Sequence, residues 1–289
     1  MLLLLACALL LLAAGCTSPQ SSAPVPATPA VAVNIQNKGS DTIVNLALAW
    51  VEAYTAIHPE VSISVTGGGS GTGIAAMING TVDIANASRE IKAEEYEAAR
   101  ANGIEPVEFV VAQDAIAVVV HPENPVTELT LQQISDIYTG KITNWQQVGG
   151  EDRPIVLLSR ESNSGTYVYF LENVVRMGEE SDLLLSPDTL LMPSSEGIGA
   201  EVRQNRNAIG YDGLGYVTPA EKMLAIAREP GEPYVLPSST SVNDGSYPIA
   251  RPLYMYTAGE PSGALADYMA WVLGEGQQQV DDLGFVPLP

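Results

Sequence analysis

Apolar and polar positions alternate in a regular way from residue 31 onward. Short apolar runs that are rich in β-branched residues are separated by longer segments with helical periodicity, and such runs are typical of strands. The predicted strands cover residues 31–37, 61–65, 82–88, 107–111, 115–120, 155–159 and 208–212.

Two of the intervening segments have a clear helical pattern. The first runs from Asp41 to about Ile57, and its apolar side chains recur at helical spacing, at Ile43, Leu46, Ala47, Trp50, Val51 and Tyr54. The second covers residues 93–103 and ends at Gly103, a residue type that commonly terminates helices. Strands that alternate with helices predict an α/β fold with mostly parallel sheets.

The first thirty residues have a different character. Residues 1–16 form an apolar run of signal-peptide length, too short for a transmembrane helix. The run ends in AAGC, which resembles a lipobox and predicts lipid attachment at Cys16. No Lys or Arg precedes the run, and Ala13 stands where a lipobox usually has Leu, so a plain cleaved signal peptide is the alternative. Residues 17–30 are rich in Ser, Pro, Thr and Ala and predict a disordered tether.

Composition narrows the function. Hydrophobic residues make up 46% of the chain, which is enough for a sizeable core, and the net charge is −21. This charge argues against binding to nucleic acid or to anionic lipid surfaces, which both need clustered Lys and Arg. Cys7 and Cys16 are the two cysteines, so a chain cut before Cys16 has neither a disulfide within itself nor a cysteine-based metal site.

The segment VTGGGSGTGIAAMING, residues 65–80, carries four glycines between Gly67 and Gly71. A glycine-rich turn that opens a helix can cradle a phosphate group, but no Lys-Ser or Lys-Thr follows, as a nucleotide-binding P-loop would require. The run also fails the G-x-G-x-x-G and G-x-S-x-G patterns. His58 and His121, the two histidines of the chain, each precede a proline in loop-like sequence. The sequence therefore argues against a Ser-His hydrolase and against a histidine-rich metal site.

Hydroxyl groups recur where strands end and helices begin. Ser40, Asp41 and Thr42 open the first helix, Ser70 opens the next, Ser88 ends a strand, and Arg160 ends a strand that leads to Ser164, Gly165 and Thr166. Helix N-termini offer unpaired N–H groups and the positive end of the helix dipole, and Arg160 adds a full positive charge. Together these groups suit a small oxyanion. Ordinary helix capping is the alternative for each stretch taken alone.

In order along the chain, eight motifs resemble one family: GSDT, GGGSGTGI, VDIANASREI, QDAIAVVVHPENPV, LQQISDIYTGKITNW, SRESNSGT, AIGYDGLGY and YPIARPLYMYT. They are similar to the phosphate-binding component of the phosphate-specific ABC transporter, a periplasmic-type solute-binding protein. The resemblance covers residues 34–289 and implies a two-lobed α/β fold of the periplasmic-binding-protein type II class. Lobe 1 would comprise residues 31–117 and 252–289, lobe 2 residues 118–251, and the anion would lie in the cleft between them.

The resemblance also implies the ligands. Ser70, Ser88, Arg160, Ser164, Gly165 and Thr166 would bind phosphate, together with the stretch of Ser40, Asp41 and Thr42. Family members with ASD after the strand use that Asp to accept a proton from phosphate, whereas this chain has Ser88 followed by Arg89. We hypothesise that Asp41 supplies the acceptor; the alternative is that Asp41 only caps its helix. For Arg89 we favour a structural ion pair over a ligand role.

The resulting expectation is an extracytoplasmic, lipid-anchored and monomeric receptor that binds inorganic phosphate and delivers it to the permease subunits of an ABC transporter. It would be no enzyme and would need neither cofactor nor metal. The alternatives are a receptor of the same fold for tungstate, molybdate or sulfate, a phosphate-ester hydrolase, or a phosphate sensor. Asn79 lies in an N-glycosylation pattern whose use stays open.

Overall fold

The computed structural model describes residues 33–289; the signal peptide, Cys16 and the tether predicted above lie outside these residues. The strands are β1 Val33–Gly39, β2 Val61–Thr66, β3 Ile84–Ala87, β4 Val107–Val120, β5 Glu128–Thr130, β6 Val156–Arg160, β7 Leu190–Met192, β8 Ala208–Gly213, β9 Lys222–Met223, β10 Ala225–Ala227 and β11 Ala250–Thr257. The helices are α1 Asp41–Ile57, α2 Ser70–Ile78, α3 Ala93–Ala101, α4 Leu131–Tyr138, α5 Gly165–Phe170, α6 Ser195–Gln204, α7 Ser239–Asn243, α8 Ala264–Leu273 and α9 Gln277–Asp282.

One long sheet organises the molecule, with strand order β2-β1-β3-β11-β4-β8-β6-β7 and with β9 beside β4. The strands on either side are parallel, namely β2, β1 and β3 on one side and β8, β6 and β7 on the other. Two antiparallel strands, β11 and β4, join these two groups. The predicted alternation of strands and helices is confirmed, and the antiparallel centre is what connects the two halves.

Strand β4 corrects one prediction. Residues 107–111 and 115–120 were expected as separate strands, but they form a single strand of 14 residues. The segment between the two predicted strands contains the polar pair Gln113-Asp114. In the structure Asp114 is fully buried and accepts hydrogen bonds from Arg251 of the neighbouring β11, which compensates for burying a charge inside a strand. The strand therefore passes without interruption from one half of the sheet to the other.

Core side chains form four groups, a large and a small one on each side of this crossing. The large group of the first half draws on residues between 35 and 112 and between 253 and 285, and includes the α1 side chains Ile43, Leu46, Trp50 and Tyr54. The large group of the second half, the second core, draws on residues between 115 and 249, with Val286. The rings of Phe170 and Tyr211 stack in this second core at a centroid distance of 3.6 Å. Each half thus buries its own apolar surface.

The two halves are linked at one level of the sheet, where Ala115 of β4 pairs with Ala250 of β11. Before this level β4 pairs with β11, and after it β4 pairs with β8.

Within residues 33–289, no helix has both the length and the apolar character needed to cross a membrane.

Candidate functional site

Three buried serines from three different loops meet at the carboxyl ends of the first strands. Ser40 stands between β1 and α1, Ser70 opens α2, and Ser88 follows β3. The Ser40 hydroxyl donates to Ser88 Oγ at 2.9 Å, and the hydroxyls of Ser70 and Ser88 are 3.3 Å apart. The backbone N–H of Ser88 also donates to Ser70 Oγ at 3.0 Å. Because β1, β2 and β3 are parallel, their following loops necessarily gather at one edge.

The opposite wall comes from the loop after β6. Gly165, the first residue of α5, lies against the serines: a Cβ atom at this position would come within 2.3 Å of Ser70 Oγ and 2.6 Å of Ser88 Oγ. The hydroxyls of Thr166 and Thr42 are 2.8 Å apart and join α5 to α1. The structure therefore brings together six of the predicted residues, which are Ser40, Thr42, Ser70, Ser88, Gly165 and Thr166.

The helix starts in this cluster have spare donors. Among residues 33–289, no acceptor is found for the backbone N–H groups of Thr42, Ser70 and Gly165, which belong to the first turns of α1, α2 and α5. Buried N–H groups of this kind normally find a partner, and an anion is a suitable one at a helix N-terminus. Ser164 is different: its hydroxyl accepts from the N–H of Thr166 and of Tyr167, which makes it an N-cap of α5.

Arg160 lies beside this cluster and is 1% exposed. Its Nη2 donates to Asp41 Oδ2 at 2.8 Å and to Pro193 O at 3.0 Å, and its Nη1 donates to Ser195 Oγ at 3.0 Å. Its Nε donates to Met192 O at 3.3 Å. Within the described part of the chain, four of the five guanidinium N–H groups are thus engaged, and one N–H on Nη1 is left for another acceptor.

Asp41 bridges the two halves of the molecule. One carboxylate oxygen accepts from Arg160, and the other accepts from the N–H of Gly68 at 2.9 Å. The side chain makes no capping bond to its own helix, because the N-cap position of α1 is Ser40. The alternative that Asp41 only caps its helix therefore does not describe the structure. The hydroxyl of Tyr216 donates to Asp41 O at 2.6 Å and adds a further contact.

A second buried arginine was missed by the sequence analysis. Arg251, on β11, donates from Nη2 to Thr166 Oγ1 at 2.8 Å and from Nη1 to Ser88 O at 2.8 Å, so it contacts both walls of the cluster. It also forms a fully buried ion pair with Asp114, with an N–O distance of 3.0 Å. Burial raises the pKa of the Asp114 carboxyl, and the guanidinium opposes this effect. An arginine within the apolar strand of YPIARPLYMYT was the available signal.

A second missed residue is Asp212, at the end of β8. Its Oδ1 accepts from the Ser195 hydroxyl at 2.8 Å and from the N–H of Gly213 at 2.8 Å. Its Oδ2 is buried and, within the part of the chain that the structure describes, has no hydrogen-bond partner. Burial raises the pKa of Asp212 to about 7, against the lowering influence of Arg160 and Ser195. The motif AIGYDGLGY placed this carboxyl at a strand end, but periodicity gave no sign that it was buried.

The glycine-rich loop serves the site through its backbone. Gly69 adopts φ +87°, a backbone conformation that residues other than glycine rarely adopt. A Cβ atom at this position would lie 2.6 Å from Asn163 O. Asn163 belongs to the opposite wall: its side chain donates to Gly68 O at 2.9 Å, and its carbonyl accepts from the N–H of Gly71 at 3.0 Å. The loop thus lies directly against the segment RESNSGT.

Arg89 does not join the cluster. It forms a two-pronged ion pair with Glu95, with N–O distances of 2.7 and 2.8 Å, which is the structural role favoured from the sequence. Burial opposes ionisation of Glu95, but hydrogen bonds from Arg89 and from the N–H of Lys92 outweigh it and hold the pKa of the carboxyl below its usual range.

Taken together, the site offers converging hydroxyls and N–H groups and two guanidinium groups, each paired with one carboxylate. Among residues 33–289 there is no group of three or more His, Cys, Asp or Glu side chains that could hold a metal ion. Hydrogen-bond donors without a strong net charge suit a small anion that is enclosed and bound through many short contacts.

Comparisons with known proteins agree with this chemistry. Residues 23–275 match the model of the PBP superfamily domain. The phosphate-binding protein PstS of Pseudomonas aeruginosa is 34% identical over 277 residues, which cover 90% of this chain and 84% of that protein. Protein SphX of Synechococcus elongatus is 33% identical, over 87% of this chain and 76% of that protein.

Among solved structures, a protein from Clostridium perfringens with bound phosphate, described as a phosphate ABC transporter substrate-binding protein, is similar with a TM-score of 0.79 and 33% identity. The match covers 89% of this chain and 100% of that chain. The predicted two-lobed α/β fold is confirmed by this likeness and by the element order. The chain therefore belongs to the PBP superfamily and, within it, to the family of the phosphate-binding protein PstS.

Proposed function

We propose that the protein is an extracytoplasmic receptor that binds inorganic phosphate and delivers it to an ABC transporter. It is not an enzyme. The observation that carries this function is the cluster of hydroxyls and unpaired helix N–H groups between the two halves of the molecule, contributed by Ser40, Thr42, Ser70, Ser88, Gly165 and Thr166. Family membership supports the identity of the ligand, because relatives are phosphate-binding proteins.

The binding residues follow from this cluster. The hydroxyls of Ser40, Ser70 and Ser88 hydrogen-bond to one another, and on binding they turn to donate to phosphate oxygens instead. The N–H groups of Thr42, Ser70 and Gly165 supply further donors, Arg160 supplies its remaining N–H, and Ser164 holds the start of α5 in place. Removing phosphate from water is costly, and this number of donors offsets the cost.

The two halves act as lobes that close on the anion. We place lobe 1 at residues 31–117 and 252–289 and lobe 2 at residues 118–251. Three contacts support a clamp between them: the ion pair of Asp41 with Arg160, the hydroxyl contact of Thr42 with Thr166, and the bond of Asn163 with Gly68 O. Each contact joins lobe 1 to lobe 2, so closure brings the binding groups together.

Asp41 gives selectivity for phosphate over sulfate. At neutral pH phosphate keeps a proton that it can donate, whereas sulfate has none and is repelled by a carboxylate. Each oxygen of Asp41 keeps a further lone pair beyond its bonds to Arg160 and Gly68. We expect Asp41→Asn to reduce the ratio of phosphate to sulfate affinity at least about tenfold, a loss of roughly 1.4 kcal/mol in discrimination. Unchanged discrimination would show that Asp41 serves only as the partner of Arg160.

Calorimetry with phosphate, sulfate, molybdate and tungstate tests the function itself. We expect tight binding of phosphate and no competition by sulfate at equal concentration. Preference for one of the other anions would reassign the ligand within the same fold. Turnover of a chromogenic phosphate ester would favour a hydrolase, and phosphate binding without any dependence of uptake on this protein would favour a sensor.

The place of action follows from the N-terminal segment. Lipid attached at Cys16 anchors a monomer to the outer side of the membrane, and residues 17–30 tether the receptor near the permease subunits. Metabolic labelling with a fatty acid should mark the wild-type chain and leave Cys16→Ser unlabelled. An unlabelled wild-type chain would leave the plain secreted form, and a labelled Cys16→Ser variant would show that the lipid is attached to a residue other than Cys16.

A further inference from the structure

Asp212 is a buried carboxyl of the site region that has no direct cationic partner among residues 33–289. Arg160 pairs with Asp41, and Arg251 pairs with Asp114. Asp212 contacts neither guanidinium: its Oδ1 receives hydrogen bonds from Ser195 and Gly213, and its buried Oδ2 receives none from residues 33–289. An ionised carboxylate oxygen in such a position is costly, whereas a protonated carboxyl is neutral.

Asp212 is nevertheless connected to the anion site. The Ser195 hydroxyl accepts from Arg160 Nη1 and donates to Asp212 Oδ1, so the order of bonded groups is Asp41, Arg160, Ser195 and Asp212. On the other side, a Cβ at the next residue, Gly213, would lie 3.0 Å from both oxygens of Asp114 and 3.2 Å from the Thr42 methyl group. A charge placed between Thr42 and Arg160 therefore changes the free energy of ionising the Asp212 carboxyl.

The surrounding charges set the direction of the coupling. Arg160 on β6 favours the ionised form of Asp212, while Asp114 on β4 disfavours it. Burial raises the pKa of Tyr216, after β8, and the nearby carboxylates of Glu196, Asp212 and Asp41 raise it further, so Asp41 on α1 and Glu196 on α6 act on the same region. Among these described residues, the guanidinium groups of Arg160 and Arg251 face four carboxyls, those of Asp41, Asp114, Glu196 and Asp212. A bound phosphate adds at least one more negative charge, and a proton on Asp212 is what compensates it.

We propose that Asp212 carries a proton whenever the site holds its anion, so that phosphate binding takes up a proton from solvent at this carboxyl. The inference rests on the proposed function. Asp212 is a positioning residue: it acts on the anion through Ser195 and Arg160. Binding at neutral to alkaline pH is then weaker than the donors alone would allow, because free receptor must first bind the proton.

The test compares Asp212→Asn with the wild type across pH, with inorganic phosphate as the probe. Asn is neutral at every pH, so the ratio of the two dissociation constants cancels the titration of phosphate itself. We expect the wild type to lose affinity relative to Asp212→Asn by about tenfold per unit between about pH 7.5 and pH 9, and to match it near pH 5.5. Asp182→Asn, which removes an exposed carboxylate, should follow the wild type throughout.

Calorimetry in buffers of different ionisation enthalpy gives an independent readout. The wild type should take up more protons per bound phosphate than Asp212→Asn near pH 8. If Asp212→Asn fails to fold, infrared difference spectra of the wild type should still show a protonated carboxyl appearing on phosphate binding above neutral pH. A ratio that does not change with pH, or the absence of that band, overturns the inference. Failure of the wild type to bind phosphate at all would instead overturn the proposed function.

Discussion

At the scale of single residues, Asp212 makes the stability of the protein depend on pH. The unfolded chain ionises this carboxyl near pH 4, whereas burial raises its pKa to about 7 in the folded protein. Between these values the folded state holds more protons, so its free energy of unfolding falls as pH rises, and the contribution is constant above about 7.

Asp212→Asn removes this pH-dependent loss in the free energy of unfolding. Relative to the wild type, we expect the variant to gain stability as pH rises from about 4 to about 7, by an amount on the order of 4 kcal/mol for a shift of this size. Urea denaturation without phosphate at several pH values measures it. Asp182→Asn is the control, since that exposed side chain should leave the pH profile unchanged. Parallel profiles for all three proteins would mean that Asp212 has an ordinary pKa.

Gly165 has no side chain, and this allows the two walls of the site to lie in direct contact. The new methyl group of Gly165→Ala would come within 2.3 Å of Ser70 Oγ, so the walls cannot approach as closely, while alanine itself favours the helix. We expect phosphate affinity to fall by about tenfold to a hundredfold, which corresponds to an overpacking cost of roughly 1–3 kcal/mol, while the fold is kept.

Gly197→Ala in α6 is the matched control, because a Cβ there meets no atom closer than 3.6 Å. Equilibrium dialysis with labelled phosphate gives the affinity, and circular dichroism checks the fold. Equal affinity of the wild type and Gly165→Ala would show that the walls stand farther apart in the complex.

The predicted residues that the structure brings together are those whose signal in the sequence is local. Ser40, Ser70, Ser88 and Thr166 stand at helix starts or strand ends, and hydroxyls at such positions are visible in the sequence. Arg251 and Asp212 escaped because their importance depends on burial and on partners 85 and 17 residues away in the chain. No local pattern encodes such pairings.

At the scale of elements, α2 packs unusually close to β1. Gly73 makes this possible, since a Cβ at this position would come within 2.4 Å of Lys38 O and 2.6 Å of the Gly39 Cα. We expect Gly73→Ala to lower the free energy of unfolding by about 1–3 kcal/mol, because backbone atoms on β1 cannot move aside as a flexible side chain could. Chemical denaturation of the phosphate-free protein measures this, and an unchanged or higher stability would mean that α2 shifts without cost.

Helix α1 and strand β4 show what periodicity can and cannot reveal. The six apolar positions of α1 predicted its bounds because one face of the helix is buried and the other is solvated. Strand β4 was predicted as two strands, and Asp114 lies in the segment between them. The ion pair that makes Asp114 tolerable comes from β11, which lies 137 residues farther along the chain.

At the scale of the whole molecule, the charge opposes the approach of the ligand. Residues 1–32 contain no Asp, Glu, Lys or Arg, so the net charge of −21 belongs entirely to residues 33–289. Salt screens this field, with a Debye length of about 8 Å at physiological ionic strength. We expect the association rate of phosphate to rise about two- to tenfold from low to physiological salt, measured by stopped-flow fluorescence with sodium chloride as the added salt. A rate that falls with salt would reveal local attraction by Arg251 and Arg160 at the cleft.

The division into two halves was predictable through resemblance rather than through pattern. Periodicity gave an α/β alternation without saying where one core ends and the next begins. The first half has a large core of its own because residues 253–285 return to pack with residues 35–112. Such a return is a long-range event that a sequence pattern cannot specify.

The position of β11 has a consequence for how the protein is made. This strand lies between β3 and β4 in the middle of the sheet, yet it is the last strand in residues 33–289. The half that contains the N-terminal strands cannot complete its sheet until Ala250–Thr257 has emerged from the ribosome, and contacts over such separations form slowly. This half of the nascent chain therefore stays partly unfolded until residues 250–257 have been synthesised. We propose that the protein is exported, and this delay would keep the polypeptide unfolded enough to pass through a translocation channel.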